Sequence, residues 1–107
     1  MVIHRFDVYR NESPRTGRRF PYFLVVPSEL LMALTTCVVI PLGRASVVEG
    51  RLAQLLTPEL QVDGSSYAMY TPEIGAVPSE VLRKHVANLE AQRDTILRAL
   101  DFLFSGI

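Results

Sequence analysis

The sequence predicts an α+β fold, a mostly antiparallel sheet with one long C-terminal helix packed on it. Three observations carry that reading. Stretches rich in β-formers, bounded by Pro and Gly, fill the chain up to Thr71. An Asp63-Gly64 pair sits between two of these stretches, a strong hairpin signal. From Asn88 onward the apolar residues recur at three- and four-residue steps, the period of a helix.

The elements follow in order. Residues Ile3 to Tyr9 place His4, Phe6 and Val8 on one side and Ile3, Arg5, Asp7 and Tyr9 on the other, which reads as a strand. The polar stretch NESPRTGRR, with Pro14 and Gly17, is a long hairpin loop. Tyr22 to Val26 is a continuous apolar run and reads as a buried strand that Pro27 ends. Ser28 to Leu34 is a short helical turn or a connection, and Thr35 to Leu42 is the third strand. Ala45 to Leu56 fits a short helix or an irregular loop. Leu60 to Val62 and Tyr67 to Thr71 flank the DGSS turn, and Pro72, Gly75 and Pro78 punctuate the exit. The helix stripe runs through Leu89, Ile96, Leu100, Leu103 and Ile107, widened by Leu97 and Phe104. Asn88 is the expected N-cap, Asp94 and Arg98 stand in the favourable order for an ion pair, and Ser105-Gly106 is the stop.

Composition bounds the function. A chain of 107 residues is expected to form one domain, residues 1–107, large enough to close a single core. Its 49% hydrophobic and 21% charged content fit a globular protein rather than a disordered one. No apolar run approaches the ~20 residues of a membrane span, and MVIHRFDVYR does not read as a signal peptide, so the expected location is the cytoplasm. Cys37 is the lone cysteine, which excludes an intrachain disulfide. The net charge of +0 speaks against a dedicated nucleic-acid binder. All the basic residues except Lys84 are arginine, which suits forked contacts to carboxylates; codon bias explains the same excess.

No set of residues assembles into a recognisable catalytic or metal motif. His4 and His85 share no metal-ligand spacing, Cys37 sits inside TTCVVIPL as a small hydrophobe, and the glycines are isolated. A binding protein without cofactor or chemistry of its own is the expectation; an enzyme whose groups meet only in space is the weaker alternative. The closing FLFSGI is apolar where chain ends are usually polar. Phe102, Phe104 and Ile107 do not all fall on the core stripe. Either the helix is sandwiched between sheet and loop, or its tip contacts another chain.

The sequence resembles the CcdB family of bacterial toxins. The resemblance is collinear along nearly the whole chain and rests on FDVYRNES, YFLVVPSELL, VVIPL, GAVP and the final helix closing in SGI. It implies an SH3-like, mostly antiparallel sheet or barrel with a small second sheet, a long C-terminal helix, and a symmetric homodimer. It implies a toxin of a type II toxin–antitoxin pair that binds the A subunit of DNA gyrase and traps the cleaved-DNA complex, catalysing nothing itself. Carried onto this chain, the gyrase-binding positions are Leu30, Leu31, Asp101, Phe104, Ser105, Gly106 and Ile107. The cognate antitoxin is expected to carry a disordered tail, and the loop bearing Arg15, Arg18 and Arg19 is a reasonable dock for an acidic one; a merely solvated loop is the alternative. The family pattern ends in a bulky aromatic before Gly-Ile, where this chain has Ser105. A non-toxic antitoxin-binding module on the same fold is therefore the second reading.

Overall fold

A computed structural model describes residues 2–31, 34–45 and 50–106. It bears out the α+β expectation as a curled antiparallel half-barrel with a C-terminal helix. Among the described residues, seven strands form one hydrogen-bonded sheet: β1 (Asp7–Arg10), β2 (Tyr22–Val25), β3 (Thr36–Gly43), β4 (Glu59–Val62), β5 (Ser65–Met69), β6 (Gly75–Pro78) and β7 (His85–Asn88). The helices are α1 (Arg51–Leu56) and α2 (Arg93–Ser105).

The strands run β4-β5-β3-β2-β1-β7, and the sheet forks at β3. The first part of β3, Thr36 to Val39, pairs with β6, while Leu42 and Gly43 pair with β5. The β4–β5 hairpin is thus a small wing joined to the main sheet through the end of β3. Its turn is the expected Asp63-Gly64, with both residues at positive φ (54° and 84°) and Val62 opposite Ser65. That is the two-residue connection whose twist matches the flanking strands.

The two faces of the sheet bury two clusters. One gathers Phe6, Val8, Leu24, Val26, Ile40, Leu42, Leu60, Val62 and Met69 with Leu89, Ile96 and Ala99 from the helical side. The other gathers Tyr9, Val25, Cys37, Val39 and Leu82, with Ile3, Phe23 and Val77 beside it. This explains why β1 shows no polar face. It is an interior strand covered on both sides, so Asp7 and Tyr9 are as buried as Phe6 and Val8.

Several expectations need correcting. The first strand begins at Asp7 rather than Ile3, because Phe6 adopts φ 69° and the Asp7 N–H turns back to His4 O. The helix begins at Arg93 rather than after Asn88. Asn88 closes β7, a strand that the sequence pattern does not predict, and a 3₁₀ turn at Glu90–Gln92 intervenes. Asn88 still caps locally, since its Oδ1 accepts the Glu90 N–H at 2.9 Å. GAVP, expected only to punctuate the exit from the hairpin, is strand β6. The charge pair near the helix start is Arg93 with Glu90 at 3.5 Å, and among the described residues Asp94 and Arg98 form no ion pair. Of the Ala45 to Leu56 stretch, residues 46–49 lie outside the described residues, and Arg51–Leu56 is helical.

Candidate functional site

Two displays of apolar side chains stand out. The first is the end of α2. Ile96 and Ala99 are buried in the main core and Leu97, Leu100, Phe102 and Leu103 are half-buried, so the helix is firmly seated. Past that seat the side chains emerge. Phe104 is 74% exposed, and Asp101, Ser105 and Gly106 are exposed with it. Gly106 takes the left-handed conformation at φ 74°, and its N–H donates to Phe102 O at 2.9 Å. Glycine reaches that conformation without the steric cost other residues meet, so the chain leaves the helical direction there. The Ile107 position lies outside the described residues.

The second display is the 3₁₀ turn Glu29–Leu31 after β2. Leu30 is 91% exposed and Leu31 50%. Local hydrogen bonds fix this outward pose. Ser28 Oγ accepts the Leu30 N–H at 3.2 Å, while the Glu29 carboxylate accepts the Arg5 N–H at 3.2 Å and faces His4 Nδ1 at 3.3 Å. Arg5 in turn donates through Nε to Val26 O at 3.0 Å. With turn and carboxylate both committed, the leucines point to solvent. No hydrogen bond or ion pair among the described residues links this turn to the end of α2.

The arginine loop between β1 and β2 presents Arg15, Arg18 and Arg19 at the surface. Asn11, 6% exposed, organises it: its Nδ2 donates to Thr16 Oγ1 and to Phe20 O, and its Oδ1 accepts the Ser13 N–H. The nearest carboxylate in the loop, Glu12, is already engaged by Lys84 at 3.2 Å and Arg83 at 3.6 Å. Arg19 lies over the Phe20 ring at 4.8 Å.

Three further features complete the picture, the first of them within the Ala45 to Leu56 stretch expected as a short helix or an irregular loop. Helix α1 rests against α2 and exposes Leu52 (67%) and Leu55 (38%). A surface groove of about 790 Å³ lies between the arginine loop and β6, floored by Phe23, Val77 and Val81. Buried Asp7 collects hydrogen bonds from His4 N, Tyr9 Oη, His85 Nε2 and Asn88 Nδ2 at 2.8 to 3.2 Å. The signal for this last cluster is an aspartate set among Phe6, Val8 and Tyr9, where only a fully bonded carboxylate is tolerated. Cys37 is buried, as expected of a small hydrophobe, and burial pushes its thiol up. Among the described residues, no group of His, Cys, Asp and Glu is arranged to hold a metal, and no helix is long and apolar enough to cross a membrane.

The curled antiparallel half-barrel and the C-terminal helix agree with the fold that the sequence resemblance implied. The family model described as CcdB protein matches residues 5–106, nearly the whole chain. The chain therefore belongs to the CcdB family of toxins from toxin–antitoxin pairs.

Proposed function

We propose that this protein, as one toxin domain over residues 1–107, binds the A subunit of DNA gyrase and traps the enzyme on cleaved DNA. The observation that carries the reading is the tip of α2. A phenylalanine left 74% exposed at the end of a seated helix gains about 2 kcal/mol when a partner buries it. Two such tips, brought together in a homodimer, make one self-complementary apolar patch. Asp101, Phe104, Ser105, Gly106 and Ile107 form it, and Leu30 and Leu31 extend the contact surface. The protein supplies shape and burial rather than chemistry, and acts in the cytoplasm where its target resides. Its cognate antitoxin docks a disordered acidic tail on the Arg15, Arg18 and Arg19 loop.

The test is a plasmid-cleavage assay with purified gyrase. The full chain is expected to raise the linear product, and a chain lacking Ser105, Gly106 and Ile107 is expected to fold normally and fail to do so. Unchanged cleavage by the truncated chain moves the contact elsewhere. A second reading, a non-toxic module that only binds antitoxin, is favoured by Ser105. Serine removes the aromatic contact to an arginine that the family pattern offers there, worth ~0.5–2 kcal/mol. Growth arrest on expression, relieved by a gyrase mutation, separates the two.

A further inference from the structure

The groove beside the arginine loop has a fixed shape and an uneven charge. Its floor is Phe23 of β2 and Val77 of β6, both half-buried against the second core cluster, with Val81 beside them 39% exposed. One wall is the loop itself, through Asn11 and Ser13. Hydrogen bonds set that wall. The buried Asn11 amide ties it internally, the Gly17 N–H donates to Ser13 O at 2.9 Å, and the Phe20 N–H donates to Thr16 O at 2.8 Å. A Cβ on Gly17 would stand 2.7 Å from Ser13 O and 2.9 Å from Asn11 O, so the turn closes only around glycine. The facing wall is the 3₁₀ turn Ser79–Val81, which carries Glu80. Glu12 reaches from the loop to Arg83 and Lys84 and ties the two sides together. The volume of about 790 Å³ lies in the range of sites that enclose a small ligand.

The two walls carry opposite charges. Arg15 stands between the lining residues Ser13 and Thr16, and Arg18 and Arg19 follow on the same loop. Across the groove Glu80 is exposed and, among the described residues, forms no ion pair. A ligand that satisfies all three features carries an acid, an apolar side chain and a base, in that order across the groove. A chain of several residues reaches both walls while seating a side chain between them. We infer that the groove seats one large apolar side chain of an acidic partner tail, with acidic residues on one side of it over the arginine loop and a basic residue on the other side at Glu80. This rests on the reading of the arginine loop as the dock for an acidic tail. It adds where the tail is anchored and the order in which its residues run. Exposed arginines alone accept any acidic chain, and salt screens them. Burial of an apolar side chain on a floor that is already formed supplies the affinity and the selectivity that those charges lack.

Chemical-shift titration of the full chain at low salt tests this with two synthetic peptides, Glu-Glu-Gly-Phe-Gly-Lys and the same peptide with Ser in place of Phe. The Phe peptide is expected to bind roughly tenfold tighter. Val81→Ser, at an exposed floor position, is expected to weaken the Phe peptide about threefold and to leave the Ser peptide unchanged, the coupling that direct contact produces. Glu80→Lys is expected to reverse the preference at the last position, so that a Phe peptide ending in Glu outbinds the one ending in Lys by roughly two- to fivefold. Should Val81→Ser disturb the fold, the Glu80→Lys reversal decides alone. Equal binding of the Phe and Ser peptides, or no binding of either at millimolar concentration, overturns the inference. Oligoglutamate that still binds through the arginine loop in that case leaves the acidic dock standing, and oligoglutamate that does not bind removes the dock as well. A Phe peptide held equally by wild type and by a chain with Arg15, Arg18 and Arg19 replaced by Glu overturns the ordered motif. Shifts at the groove residues that follow protein concentration alone make a second copy the occupant and overturn it too.

Discussion

Asp7 is the residue on which the local physics is sharpest. Burial alone raises the pKa of a carboxyl, but the hydrogen bonds from Asn88, the His4 N–H and His85, with the His85 charge, together hold Asp7 below its ordinary 3.8. The same cluster acts on Tyr9 in the opposite sense. Burial, the charge of Asp7 and the hydrogen bond to it push the phenol from 10.0 up to about 12. Both shifts favour the form present at neutral pH, and both are therefore linked to stability. The Asp7 contribution is complete above its unfolded value and disappears as pH falls through the lower folded one. The Tyr9 contribution is complete below 10.0 and is lost as pH rises toward about 12. Asp7→Asn turns an acceptor into a donor facing other donors, so it is expected to cost about 3 kcal/mol at neutral pH. In urea unfolding, the gap between wild type and Asp7→Asn should narrow as pH drops below about 4. A gap independent of pH would show that the carboxylate charge is not what the cluster holds. Tyr9→Phe should remove the alkaline limb and leave the acid one.

Among the elements, the β4–β5 hairpin shows local sequence dictating local structure. Gly64 sits at φ 84° with nothing within 4 Å of where a Cβ would be. The cost of Gly64→Ala is therefore backbone strain alone, about 1 kcal/mol, read as a lowered denaturation midpoint with the denaturant slope unchanged. A loss several times larger would mean that the turn packs against something. The Asp-Gly pair makes this hairpin legible, as β-former runs do for β2 and β3. Other elements are not legible, each for a physical reason. β6 and β7 are short, carry no run of β-branched residues, and exist because β3 and β1 offer them edges to pair with. The start of α2 is misplaced by the pattern because the apolar step at Leu89 continues into the helix stripe, although Leu89 itself belongs to a 3₁₀ connection. Its burial is real, its helicity is not, and periodicity reports only the first.

At the scale of the whole molecule, a formal charge of +0 hides a local imbalance. Glu12 could have neutralised the arginine loop, but it is drawn across to Arg83 and Lys84 on the segment before β7. Among the described residues, Arg15 and Arg18 form no ion pair, and Arg19 is turned onto Phe20. The cluster of arginines is visible in the sequence. Which carboxylate is used up elsewhere is not, because that depends on the long-range pairing of β1 with β7. The tip of α2 divides the same way. The apolar ending is plain in the sequence, whereas the emergence of Phe104 follows from how deeply Ile96 and Ala99 seat the helix. The charge arrangement leads to a further prediction. If the loop docks acidic segments, a synthetic oligoglutamate peptide should bind the full chain weakly at low salt, its affinity falling as ionic strength rises. Replacing Arg15, Arg18 and Arg19 together by Glu should abolish that binding while leaving the fold and the proposed gyrase trapping unchanged, since the α2 tip is untouched. Glu12→Gln should strengthen it modestly, because Arg83 and Lys84 would then add their charge to the same side of the molecule. Peptide binding unaffected by the triple replacement would place the acidic partner on another face.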